Sequence, residues 1–420
     1  MWTADWLVRL RCGIVAVVII IAAAFECFPQ AKVSLKLIQT LSKSELASWT
    51  EPFSKQGVLA VRAGDVVQLW DTRTGTLRAS LPGHKKFLEA AFTDDGETFI
   101  TSTNEKPAGL ITRLWNVQTG RLKHTLMGLI VHHSTDVIVT LADGDELKFW
   151  NAETGELSKT VPAYEGKFSK SKFSFDGRVV VRYGGKKGFL WEANTGRLIA
   201  ELTPPKERNI YIPYYTDLEL WDALFSPDSK IIATADSMDS IELWDADTGR
   251  LRALLQGHVS TIYDLAFSPD GRLLASASRD GTAKLWNVET GQLVSTLRSG
   301  KETARYVMFN PEGTLLAVGY HTQARVWDVS SGQLQATLSP HSDINKLVLF
   351  GTYWDGIEIL LSPQGNLLLT VGNKTVKVWT TTGEAVGTLE SARWPVAFAP
   401  NGKVLATTGP NGSVLLWAIQ

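Results

Sequence analysis

Cysteine is nearly absent from this chain. Two of its 420 residues are cysteine, Cys12 and Cys27, and both precede Pro29. A disulfide framework or a thiolate metal site is therefore excluded from everything that follows. An excess of charge of one sign is missing too. Lys+Arg number 42 and Asp+Glu 43, they are interspersed, and the net charge is −1. That balance argues against a protein that tracks nucleic-acid phosphates, so no nucleic-acid partner is expected. Histidine is scarce, and the seven present are dispersed. His132 and His133 are adjacent, and neighbours on a strand point to opposite faces, so no shared metal is expected there. The chain holds no Gly-Lys-Ser/Thr phosphate loop and no Gly-x-Ser-x-Gly elbow. The acids Asp94-Asp95 and Asp143-Gly144-Asp145-Glu146 fall at turns and converge too little for calcium. The expectation is a protein with no catalytic residue, no cofactor and no metal.

Long apolar runs are absent, with one exception. Residues 13–25 are uninterruptedly apolar, and Arg9 and Arg11 precede them. As a helix the run covers about 20 Å, against about 30 Å of bilayer hydrocarbon. Two readings of residues 1–30 stand. One is a signal peptide cleaved after Ala22-x-Ala24. The other is an uncleaved membrane anchor through residues 13–28, with the arginines snorkelling. Either way residues 31–420 are expected outside the cytoplasm, secreted or anchored to the membrane. An anchor of opposite orientation, which would leave a cytosolic scaffold, is the third possibility.

What the chain does have is a repeat. Tryptophan closes a short β-run nine times, at Trp70, Trp115, Trp150, Trp191, Trp244, Trp286, Trp327, Trp379 and Trp417. All but Trp417 lead into a turn ending Thr-Gly or Ser-Gly, as in Trp244-Asp245-Ala246-Asp247-Thr248-Gly249. The steps between them run from 35 residues (Trp115 to Trp150) to 53 (Trp191 to Trp244). Within each unit, β-branched and large apolar runs alternate with Gly/Pro/Asp punctuation such as Ser268-Pro269-Asp270-Gly271, which marks four strands. A period near 40–45 with four strands is the mark of a propeller blade. One blade cannot bury both its faces, so the units must stack around an axis. The prediction is an all-β propeller of nine four-stranded blades, with eight as the alternative. The last unit stops after its Trp417 strand, and residues 35–41 resemble a fourth strand standing alone. Pairing them onto the last blade would close the ring and leave no open edge.

The units resemble WD40 repeats. The Trp-Asp or Trp-Asn step (Trp70-Asp71, Trp115-Asn116, Trp150-Asn151, Trp244-Asp245, Trp286-Asn287, Trp327-Asp328) and Gly-His (Gly83-His84, Gly257-His258) carry the likeness. It covers roughly residues 35–420. The family's structural hydrogen-bond set is expected complete in one unit, from His258, Ser276 or Ser278, Asp280 and Trp286. Other units lack the aspartate and are expected to rely on packing. The resemblance implies a non-enzymatic scaffold for protein partners. The alternative is an exported propeller enzyme or ligand-binding protein using the axial channel. The first strands read as mainly apolar (Ala90-Ala91-Phe92, Leu265-Ala266-Phe267, Val396-Ala397-Phe398), which argues against that alternative.

Two insertions separate a fourth strand from the next first strand. One carries Tyr211, Tyr214 and Tyr215, the other Phe350, Tyr353 and Trp354. Both are expected on one face, together with His84, His258 and His341. Aromatic side chains on a rigid frame offer large contact area at low entropy cost, so these six are the expected partner-binding residues. An equal alternative is that their rings pack over the axial channel as a lid.

Overall fold

Short runs of Val, Leu, Ile, Thr and aromatic residues, each cut off by a Gly, Asp or Pro turn, have no room to become helices and pair as antiparallel strands. The computed structural model describes residues 34–41, 52–105, 108–142, 146–161, 170–184, 187–193, 197–203, 220–236, 239–298, 302–320, 323–338, 358–372 and 375–420. Their strands form nine antiparallel sheets, taken here as blades 1 to 9. In chain order the blades span 58–82, 87–127, 129–161, 170–202, 220–256, 262–298, 304–338, 358–390 and 393–419. Eight sheets have four strands. Among the described residues blade 1 has three, with a bridge between Phe53 and Leu59 at its inner edge. Nine blades, rather than eight, is the observed number, and the short unit 129–161 is a full blade.

The fourth strand of blade 9 comes from the other end of the chain. Leu35–Leu41 pairs antiparallel with Val414–Ile419, running from Leu35 opposite Ile419 to Leu41 opposite Val414. Beyond the strands, the Ser34 and Gln420 backbones exchange hydrogen bonds of 2.8 and 2.9 Å. The register is that of an ordinary blade. Leu37 lies opposite Trp417, as Leu251 lies opposite Trp244 and Leu293 opposite Trp286.

Each blade packs its tryptophan face onto the preceding blade. The buried apolar side chains divide into nine clusters, each bridging one adjacent pair. Trp286 joins Ala233, Ile241 and Leu243 of blade 5. Trp327 joins Ala275, Ala283 and Leu285 of blade 6. The cluster that closes the circle sets Leu59 and Val61 of blade 1 against Ala406, Val414 and Leu416 of blade 9, with Leu41 among them. At about 1.5–3 kcal/mol for each large apolar side chain removed from water, these interfaces hold the ring together. First strands of neighbouring blades pack side by side, which places them at the axis and the fourth strands outside.

Glycine sets how closely blades approach. Gly249 ends the Trp244 turn with φ of +66°, and a Cβ there would lie 2.2 Å from the Cβ of Ala200 on blade 4. No helix among the described residues is long and apolar enough to cross a membrane, and residues 1–30 lie outside them.

Candidate functional site

In blades 2 to 9 the first strand starts on the same face, here called upper. The connections from the preceding fourth strand and the turns between second and third strands share it. Two questions arise about that face: what holds it rigid, and what it presents.

The polar set predicted in blade 6 is assembled. His258 places one ring nitrogen, Nδ1, 2.8 Å from Asp280 Oδ2, and the other, Nε2, 2.7 Å from Ser276 Oγ. The indole N–H of Trp286 donates to the same Ser276 oxygen at 2.9 Å. Ser276 has one hydrogen, so it donates to His258 Nε2, and the Nδ1–H donates to Asp280. Ser276, not Ser278, is therefore the serine of the set. Ser278 instead donates to the Ser260 carbonyl at 3.0 Å and accepts from the Asp280 N–H at 3.1 Å, which ties the upper connection to the turn. Burial acts to raise the Asp280 carboxyl, but the hydrogen bonds from His258 and Thr282 outweigh it and hold it well below the usual range.

Blade 2 carries a second version that the aspartate criterion misses. His84 is fully buried, with Nδ1 2.9 Å from the Leu81 carbonyl and Nε2 3.0 Å from Thr101 Oγ1. Trp115 donates to that hydroxyl at 2.9 Å. Burial pushes the His84 pKa down to about 4. His84 and His258 are thus struts beneath the upper face and contribute nothing to its surface, contrary to their expected place on it.

The expectation that the remaining blades rely on packing is corrected for blades 3, 5, 8 and 9, whereas the buried indole Nε1 atoms of Trp191 and Trp327, in blades 4 and 7, have no acceptor among the described residues. A hydroxyl two residues beyond the tryptophan's cross-strand partner accepts the indole N–H in blade 3 (Thr140, 2.8 Å), blade 5 (Thr234, 2.8 Å), blade 8 (Thr370, 2.9 Å) and blade 9 (Thr407, 3.0 Å). In blade 5 the chain continues, with Thr234 donating to the buried Glu242 at 3.0 Å.

At the inner rim the first strands are kinked. The pairing of first with second strand slips by a residue near the start in blades 2, 5, 6 and 7, between Phe87 and Glu89, Leu220 and Asp222, Ile262 and Asp264, and Ala304 and Tyr306. A bulge re-aims the extra side chain. Here the extra residues include Leu88, Tyr263 and Arg305. Leu88 is 46% exposed and Tyr263 38%, and Val259, at the top of blade 6, is 83% exposed. The Arg305 guanidinium lies over the Tyr263 ring, 5.0 Å from its centroid. Asp264 joins the two blades, one oxygen accepting from its own neighbour Leu265 N at 3.0 Å and the other from Val307 N across the interface at 2.9 Å. Alternation alone does not reveal these residues, because the slip that turns them outward inserts one unpaired residue into the alternation.

The apolar first-strand residues do not line the channel as expected. Ala90, Phe92, Leu265 and Val396 are buried between blades. Among the described residues no group of three or more His, Cys, Asp or Glu is placed to hold a metal. The lower face has a cavity of about 670 Å³ between blades 1 and 2, lined by Arg73, Arg78, Glu97 and Gln118. Its arginines are spent on Asp71, at 3.4 and 2.6 Å. The aromatic residues Tyr211, Tyr214, Tyr215, Phe350, Tyr353 and Trp354 lie outside the described residues, as does His341.

Comparison with known proteins agrees with this architecture. The WD domain, G-beta repeat matches residues 249–287 and 332–380, each a fourth strand followed by three strands of the next blade. Autophagy-related protein 16 of Arabidopsis thaliana is 25% identical over 47% of this chain and 46% of its own length. Protein tipD of Dictyostelium discoideum is 29% identical over 25% of this chain and 18% of its own. Nuclear distribution protein nudF of Aspergillus niger is 26% identical over 46% and 47%. The chain thus spans about half or less of these relatives. The crystal structure of the computationally designed Ika8 protein superposes with a TM-score of 0.56 at 19% identity, covering 81% of this chain and 98% of that one, a likeness of fold alone. Nine blades of one plan, each with its tryptophan, and two stretches matching the repeat make this chain a β-propeller whose blades are similar to WD40 repeats.

Proposed function

We propose that the chain is a non-enzymatic platform that holds protein partners on its upper face. The observation that carries this reading is the inner rim, where bulges turn Leu88, Tyr263 and Arg305 outward above a floor locked by the His84 and His258 networks. Side chains held rigidly before binding lose little entropy on binding, so such a rim suits recognition. The six aromatic residues of the two insertions belong to the same reading. WD40 propellers generally bind proteins, which supports the class of function and leaves the partner open. Export or membrane tethering through residues 13–28 is part of the proposal, resting on the apolar run behind Arg9 and Arg11. Protease protection in intact membranes tests it.

The platform is tested by affinity capture from the native source with three versions of the chain. One is unaltered, one carries Leu88→Asp and Val259→Asp, and one carries Arg272→Glu on the lower face. The expected result is loss of the captured proteins with the upper-face pair and retention with Arg272→Glu. Equal capture by all three removes the upper rim as the site.

A further inference from the structure

Several arginine side chains in this ring pair with acids, while Arg325 lies over Tyr320 with its Nε buried and without an acceptor. Arg78 reaches Asp71 at 2.6 Å, Arg113 reaches Glu105 at 2.8 Å, Arg178 reaches Asp176 at 2.6 Å and Arg252 reaches Asp245 at 2.5 Å. Arg305 is of the second kind. Its contact is the face of Tyr263, and its Nε is buried with no hydrogen-bond acceptor. No carboxylate among the described residues pairs with it. Asp264, next to Tyr263, accepts the backbone N–H of Leu265 and of Val307. The two Nη nitrogens are neither buried nor bonded within the protein. A guanidinium partly stripped of water and without a counter-charge is an incomplete ion pair.

We infer that the rim between blades 6 and 7 takes a carboxylate side chain of a partner peptide, received end-on by the two Nη nitrogens of Arg305. This rests on the platform reading above and names the partner chemistry at that site. The Tyr263 ring backs the guanidinium on one side, and a flat carboxylate can meet the two Nη nitrogens with both oxygens in the guanidinium plane. The exposed faces of Tyr263 and Val259 offer an apolar shelf for the stem beside the acid. The occupant is thus an Asp or Glu beside an apolar residue, in an extended segment of a protein.

The test pans a randomised peptide library on the full chain, then resynthesises the selected peptides with each Asp or Glu changed to its amide. Enrichment of an acid at one fixed position is expected, with the amide binding about tenfold more weakly or worse. In Arg305→Met, which keeps the apolar stem, the acid-to-amide change should cost nothing. Arg305→Lys should restore part of the difference, which separates charge from folding. Equal cost in the native chain and in Arg305→Met overturns the inference, as does selection without acid preference or no selection at all. Tighter binding of a phosphoserine at the fixed position also overturns it in favour of phosphate. Peptides that need Tyr263 and Val259 but ignore Arg305 sink this inference alone. Binding that ignores all three sinks the platform reading with it.

Discussion

Trp327 buries its indole Nε1 in the same cluster as Val318 and finds no acceptor there. Val318 stands where blade 6 has Ser276 and blade 5 has Thr234, two residues beyond the tryptophan's cross-strand partner. A missing hydroxyl therefore leaves a buried donor unsatisfied. Val318→Thr is nearly the same size and supplies the acceptor. Chemical denaturation should show it more stable by about 1 kcal/mol, and Thr234→Val less stable by about 1–3 kcal/mol. A destabilised Val318→Thr would show that the hydroxyl cannot reach the indole.

Acid should weaken the ring in two separate windows. Burial lowers the His84 pKa from its ordinary 6.5 to about 4 in the folded chain. Between those values the unfolded chain binds the extra proton, so stability is full above pH 6.5, falls as pH drops to 4, and is level below. The loss is about 2 kcal/mol by pH 5. Asp280 is held below its ordinary 3.8, so its contribution is present above that value and is lost only as pH falls below it. Melting curves of His84→Gln should show a shallower decline between pH 7 and pH 5. Those of Asp280→Asn should keep that decline and lose the later one.

Two glycines separate backbone preference from interblade clearance. Gly64 has φ of +64° with nothing within 4 Å of a Cβ built on it, whereas Gly249 has φ of +66° and meets Ala200. Gly64→Ala should cost about 1 kcal/mol, the price of a left-handed alanine. Gly249→Ala should cost about 2–4 kcal/mol, since blades 4 and 5 must also move apart. Equal losses would mean the interface yields freely.

Leu41 is 4% exposed where blade 9 meets blade 1. Leu41→Ala should cost about 2–5 kcal/mol. The ring closes through this strand, so calorimetry should show one transition moved down as a whole. A new early transition confined to blade 9 would mean the blades melt independently.

Blade number, strand count and closure were legible because they follow from repetition. The Trp70-to-Trp417 series, the Thr-Gly turns and the unpartnered run at 35–41 each state a local rule that the ring then obeys. The polar struts were half legible. His258, Asp280 and Trp286 were readable by spacing, but choosing Ser276 over Ser278 needed to know which side chain shares the face with the indole. Thr101, Thr140, Thr234, Thr370 and Thr407 looked like ordinary strand threonines until register placed each beside a tryptophan. Arg305 and Tyr263 lie 42 positions apart, and nothing in the sequence marks them as a pair.

Local chemistry in the chain therefore determined what each blade is. Alternation chose strands, Gly and Asp chose turns, and a recurring tryptophan set one interface that every unit repeats. Only the tertiary structure decided what the ring presents. Around the axis the first strands of blades 6 and 7 slip against their second strands. That slip turns Tyr263 outward and lays Arg305 upon it, a geometry made between blades and encoded in neither one alone.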